Sequence, residues 1–261
     1  MVEHDGAVPT ADDFRALARS SPWRTRSAHF THRARCDGRD EVVEAWLERP
    51  GRLRVRDRHG TREWRDGMQA DVPRDVVAAW SRMPERYADD VPVARAARIR
   101  WAHHVEPLRR EDGLVSVRPD RAAAWQAATG RLPETLEVDD PMYDNYRWVA
   151  MLDPVELAEG VGLTQVRETT HHQRPAWAAR AVPEQGYEPR CGCCPLLWSE
   201  VSERGERGEE LDLVGVVFPE AHDVVLDRAT GFVVSLLPVW GAGVGAHRDD
   251  LGFDVEVRAS A

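Results

Sequence analysis

Short runs in which apolar and polar residues alternate, each closed by turn residues, constrain this chain more than any other feature. Ala28, Phe30 and Ala34 interleave with polar residues between about Arg24 and Arg35, and Asp37-Gly38 is a strong hairpin signal. The return run, Glu41 to Arg49, places Val43, Ala45 and Leu47 on one side and Val42, Glu44 and Trp46 on the other. Pro50-Gly51 turns again, Leu53, Val55 and Asp57 alternate with arginines, His59-Gly60 turns, and Thr61 to Arg65 runs back. A period of two with turns at close intervals predicts an antiparallel meander. The last third repeats the pattern. Val161, Leu163 and Val166 lead to a turn at His171-His172-Gln173, and Pro175 to Val182 returns. A further strand is expected at Leu211–Phe218. The runs His222–Leu226 and Phe232–Trp240 read as a hairpin around Asp227-Arg228-Ala229-Thr230-Gly231, with glycine at the left-handed position. Phe253, Val255 and Val257 give a closing strand.

Outside these strand runs the period changes. Thr10 or Asp12 caps a helix to about Arg19, stopped by Ser21-Pro22. Val76, Val77, Trp80 and Met83 repeat at helical spacing, and Asp120 caps a helix through Ala128. Asp139-Asp140-Pro141 opens another, with Tyr143, Tyr146, Val149, Ala150 and Leu152 on its buried face, and Asp153–Leu157 adds a further turn. The charged stretch Glu203–Glu210 reads as a solvated loop. The fold class is α+β, with residues 1–9 a flexible leader, 10–261 a single domain, and a helical insertion at about 72–130.

The chain contains no lysine, and all 35 basic residues are arginine. A net charge of −10 argues against a nucleic-acid binder. No apolar run is long enough to span a bilayer. The polar start Met1-Val2-Glu3-His4-Asp5-Gly6 does not read as an export signal, so a cytoplasmic location is expected.

The concentrated chemistry lies in Arg190-Cys191-Gly192-Cys193-Cys194-Pro195. Cys191 and Cys194 form a C-x-x-C pair, which serves a metal clip or a redox couple. As half of a zinc site it offers Cys191, Cys194 and Cys193, and tetrahedral closure needs distant ligands. Cys36, His171, His172 and His222 are the candidates. As a redox site, Pro195 would be the first residue of a helix with Leu197, Trp198 and Val201 buried, setting Cys194 at a helix N-terminus where a thiol becomes reactive. The third reading is a cysteine-rich turn packed under Trp198 with no chemistry. No serine elbow, phosphate loop or dinucleotide fingerprint occurs, so the expectation is a binding protein and not an enzyme.

The helix, meander, helical section and second strand group, ending in Val224-Val225-Leu226-Asp227-Arg228-Ala229-Thr230-Gly231-Phe232-Val233-Val234, resemble the half-barrel family of the lipoprotein carrier LolA, the lipoprotein LppX and the N-terminal domain of the regulator RseB. Trp46–Val55 is similar to that family's early strand, turn and arginine-bearing strand. Leu152–Leu157 is similar to the helix before its second strand group. The resemblance implies an antiparallel sheet curled as a half-barrel around a few helices. It implies a role in cradling an apolar ligand or lipid, or a protein partner. Trp46, Trp148 and Trp177 are the candidate ligand-lining residues. The competing expectation is a zinc- or thiol-dependent regulatory protein using the cysteine cluster.

Overall fold

The computed structural model describes residues 8–36, 38–65, 68–69, 102, 105–120, 123–124, 126–127, 140–208, 210–242, 248 and 250–261. Helix α1 (Ala11–Arg24) begins at Thr10. The Thr10 hydroxyl accepts from the Asp13 backbone N–H at 3.2 Å, and the Asp13 carboxylate accepts from the Thr10 N–H at 2.8 Å. The expected stop at Ser21-Pro22 does not occur. Proline costs one helical bond, but tertiary partners hold the last turn. Ser21 Oγ donates to the Leu152 carbonyl, Trp23 Nε1 donates to that of Val105 at 3.0 Å, and Arg24 donates to the carbonyls of Arg228 and Ala229.

The meander follows as β1 (Ser27–Cys36), β2 (Arg39–Glu48), β3 (Arg52–Asp57), β4 (Gly60–Arg65) and β5 (Met68–Gln69). A small separate hairpin pairs β6 (Leu108–Arg109) with β7 (Val115–Val117). Helix α2 (Tyr146–Leu152) leads through a 3-10 turn (Val155–Leu157) into β8 (Val161–His171) and β9 (Arg174–Pro183). Helix α3 (Glu200–Arg207) precedes β10 (Ala221–Asp227), β11 (Val233–Val239) and β12 (Phe253–Ser260).

Ten strands make one antiparallel sheet in the order β5-β4-β3-β2-β1-β12-β11-β10-β9-β8. Each half of the chain builds one half of the sheet, and β12 joins them by pairing with β1 along Ala28–Ala34. The α+β class and the antiparallel sheet are as the sequence predicts. The curled half-barrel is not: the sheet is open, neither closed nor curled. The helices cover one face instead of being enclosed, with α1 against β8, β9 and β10 and α2 against β11.

That face is the core. Phe30 of β1 sits opposite Ala45 and Val257, and Leu47 sits opposite Leu53, all fully or almost fully buried. Phe14 and Leu17 of α1 and Trp148, Met151 and Leu152 of α2 complete the same cluster. The alternating runs predict this side correctly because a strand's side-chain period is two.

Three local expectations are corrected. Helix α2 starts at Tyr146, not near Asp139, because Asn145 supplies the cap: its Oδ1 accepts from the Arg147 N–H at 3.0 Å. The charged stretch after Glu203 is largely helical. Ser199 caps α3, and the ion pairs Arg204–Glu200 and Arg207–Glu203 lie one turn apart on its surface. Leu211–Phe218 forms no strand. Asp212 Oδ1 accepts from the Val214 N–H in a local turn, and Val214 is 91% exposed. The helical insertion at 72–130 falls mostly outside the described residues. Within 105–120 the chain forms the β6–β7 hairpin, and Asp120 Oδ1 accepts from the Ala123 N–H as a cap would.

Candidate metal centre and its surroundings

The cysteine stretch lies in the connection from β9 to α3, and a buried carboxylate holds it on both sides. Glu156, in the 3-10 turn, accepts from Tyr187 Oη at 2.6 Å, from the Arg190 N–H at 2.9 Å and from the Leu196 N–H at 3.0 Å. Burial raises the Glu156 pKa, and these donors only partly offset it. Arg190 Nε donates to the Asp153 carbonyl at 3.1 Å, and its guanidinium pairs with the Asp153 carboxylate, which also pairs with Arg118. Leu196 and Leu197 are fully buried. Residues 191–195 therefore form a short loop pinned at Arg190 and Leu196.

Within it the Cys194 N–H donates to the Cys191 carbonyl at 3.3 Å and folds the loop back. The three sulfurs of Cys191, Cys193 and Cys194 converge within 4.8 Å of one another, and all three are free thiols. Cys191 and Cys193 Sγ are 2.9 Å apart, and Cys193 and Cys194 Sγ 3.8 Å. Burial pushes the Cys191 thiol up, but side-chain and backbone hydrogen bonds from Cys193 and Cys194 outweigh it, so its pKa is lowered. Cys194 is pushed up to about 12 by burial, by its hydrogen bond to Cys191 and by the charge there, although the Tyr146 N–H favours its thiolate. Hydrogen bonding and the charge on Cys191 also raise Cys193. The group thus holds one thiolate readily and resists more, because like charges crowd a small space.

Gly192 leaves room for α3. A Cβ built there would lie 2.0 Å from Glu206 Oε2, so the α3 carboxylate sits directly against the loop. The helix expected from Pro195 is absent. Ser199, not Cys194, is the N-terminal cap of α3, so the redox reading loses the helix terminus that was to activate Cys194.

The remaining candidates lie elsewhere. His171 and His172 end β8 and enter the turn to β9, where His172 and Gln173 adopt φ of 44° and 64°, as a primed hairpin turn requires. They form a second group with Asp254, not one with the cysteines. His172 Nε2 is 2.8 Å from Asp254 Oδ1, and His171 Nε2 is 3.0 Å from Oδ2, close but poorly directed for a hydrogen bond. His222 is buried on β10, with Nε2 donating to the Trp198 carbonyl at 3.1 Å, so it steadies the end of the loop. Cys36 closes β1 opposite Arg39, and its side chain is outside the described residues.

The three tryptophans also separate. Trp46 stacks on His29 at 4.8 Å with Arg54 over its ring at 4.3 Å. Trp177 of β9 is half-buried with Arg228 5.2 Å from its ring. Only Trp148 of the three lines the cavity beside α2. That cavity also takes in His32 and Arg147, which no motif singles out. The available signal was a histidine on the apolar face of β1, between Phe30 and Ala34. Glu156, the residue that pins the loop, gives no signal at all in the sequence. No protein-family profile and no curated protein matches the chain.

Proposed function

We propose that this is a non-catalytic binding protein whose cysteine loop holds a zinc ion. The observation that carries the reading is the convergence of three reduced sulfurs in a loop anchored at both ends. Thiolates select soft or borderline ions such as zinc. A dication also resolves the crowding of charge, because it displaces protons from Cys193 and Cys194 that the apo loop retains. Three thiolates leave one of four tetrahedral positions for an outside ligand, and Glu206 against Gly192 is the nearby carboxylate. Such a site works with reduced thiols, so a cytoplasmic setting goes with the reading.

The likeness to the half-barrel carriers enters the same proposal on local features: the hairpin through Asp227–Gly231 and the β2–β3 turn at Pro50-Gly51. Phe14, Leu17, Phe30 and Phe232 fill the buried face, which favours a small ligand over a long acyl chain. The Tyr146 N–H on Cys194 ties the loop to the start of α2.

Elemental analysis of the purified full chain tests the metal. About one zinc per chain is expected, with chelator lowering the melting midpoint. Cys191→Ser and Cys194→Ser should each lose most of the metal. Zinc-free wild-type protein after refolding with the ion, or full zinc in both variants, overturns the reading.

A further inference from the structure

A cavity of about 130 Å³ lies beside the N-terminus of α2, with His32, Tyr143, Arg147, Trp148, Met151 and Phe253 among its walls. One side of the lining is a cluster of rings, and charged residues make up much of the rest. The His32 ring is 4.9 Å from that of Trp148 and 5.3 Å from that of Phe253, and Tyr143 is 5.1 Å from Trp148. Four of its polar atoms lack partners. Arg147 Nε and Nη2, His32 Nδ1 and Trp148 Nε1 are all buried and make no hydrogen bond among the described residues. Among the described residues Nη1 is the one hydrogen-bonded nitrogen of Arg147, donating to the Asp250 carbonyl at 2.7 Å, and the guanidinium carbon lies 5.8 Å from the Phe253 ring.

A buried guanidinium without a carboxylate is costly unless something supplies the missing acceptor. The acids in the lining give Nε and Nη2 no hydrogen bond among the described residues, although the charge of Asp250 favours the cation. Asp250 is held by Arg248 at 2.6 and 3.0 Å, Asp144 accepts from Asn145 Nδ2 at 3.0 Å, and Glu41 makes no ion pair with Arg147 among the described residues. Burial, the largest influence, lowers Arg147 to about 10, which leaves it cationic at neutral pH.

We propose that this cavity binds a small carboxylate, held side-on by the Nε and Nη2 edge of Arg147, with its short apolar remainder against the aromatic walls. That edge presents two parallel N–H groups at the spacing of carboxylate oxygens. The lining sets the carboxylates of Glu41, Asp144 and Asp250 against Arg35 and Arg147, so a dianionic phosphate meets more acids than cations, whereas a monoanion is repelled less. Size sets the class: the volume is close to that of the ~150 Å³ cavities that take a benzene-sized ligand, enough for a chain of a few carbons and too small for a fatty acid.

Calorimetric titration of the full chain with sodium butyrate, and separately with inorganic phosphate, tests this. Saturable binding of one butyrate per chain is expected, with phosphate at least about tenfold weaker. Arg147→Gln should weaken butyrate by about tenfold or more, the loss of a buried charge-assisted pair, and Trp148→Phe, which keeps an aromatic ring and removes the indole N–H, should weaken it several-fold. Absence of saturable butyrate binding overturns the proposal, as does phosphate binding as tightly or Arg147→Gln binding normally. Should Arg147→Gln fail to fold by circular dichroism, unchanged butyrate affinity in Trp148→Phe overturns it instead. Repeating the titration on Cys191→Ser protein separates this site from the metal: butyrate binding is expected to persist.

Discussion

Arg49 shows how single residues organise the interior. Its side chain is 1% exposed, yet every nitrogen is used. Nε bridges both Asp140 oxygens at 3.0 Å, and Nη2 reaches Asp140 Oδ2 at 2.6 Å and the Leu152 carbonyl at 3.1 Å. Nη1 donates to the carbonyls of Ser21 and Thr25 at 2.7 and 3.2 Å. One guanidinium thus ties the end of α1, the end of β2 and the end of α2. Arg49→Met should destabilise the fold by about 3–5 kcal/mol, because Asp140 would stay buried without its partner. Urea unfolding reads this directly, and a cost below about 1 kcal/mol would contradict it. None of this was visible in the sequence, where Arg49 is one arginine of 35. The same holds for Glu156. The convergence of Cys191, Cys193 and Cys194 was legible, since spacing alone keeps neighbours close. The acids that anchor their loop come from distant segments, and proximity of that kind has no local signature.

Among the elements, the turn from β10 to β11 was the most legible, and the structure gives its physical basis. Asp227 Oδ1 accepts from the Ala229 N–H, the Thr230 N–H and the Thr230 hydroxyl at 3.1, 2.8 and 3.0 Å, while Arg174 Nε binds Oδ2 at 2.6 Å. Gly231 has φ 75°, and a Cβ there would lie 3.0 Å from the Leu17 carbonyl oxygen and 3.1 Å from Ser21 Cα. Glycine is therefore required twice, for the backbone angle and for the approach of α1. Gly231→Ala should cost about 2 kcal/mol or more. Gly113→Ala, with φ 83° and nothing within 4 Å of its Cβ, should cost only the backbone share, about 1 kcal/mol. Equal melting midpoints for the two variants would refute the role of the α1 contact. The less legible elements fail for an identifiable reason. Leu211–Phe218 is apolar enough for a strand but finds no partner strand, and Pro195 sits where a helix begins only if Ser199 does not cap a later one.

At the scale of the whole molecule, acidity should act mainly through two buried histidines. Burial, then the charge of Arg147, lowers His32 to about 3, and burial lowers His222 to about 4 although the Trp198 carbonyl favours its charged form. Both protonate near 6.5 once the chain unfolds, so below that pH the unfolded state binds more protons. Their contribution is full above about pH 6.5 and declines as the pH falls toward about 4. Asp153 and Asp227, both depressed in the folded chain, add losses only below their ordinary value of 3.8. Glu156 has the opposite sign, since its raised pKa makes protonation easier in the fold. Calorimetric melting should give a flat midpoint near neutrality and a steady fall between about pH 6 and pH 4. A midpoint that rises over that interval would show that the histidines are not buried as described.

The pairing of β1 with β12 also sets an order in time. The Ser27 and Ala261 backbones bond in both directions at 2.9 Å, and β12 follows every other strand of the sheet in the chain. During synthesis the first half of the sheet must therefore wait, one edge of β1 unpaired, until β12 has left the ribosome. Pairings so far apart in sequence form slowly, and an exposed strand edge invites association meanwhile. For this nascent chain the vulnerable interval ends only when β12 reaches the sheet.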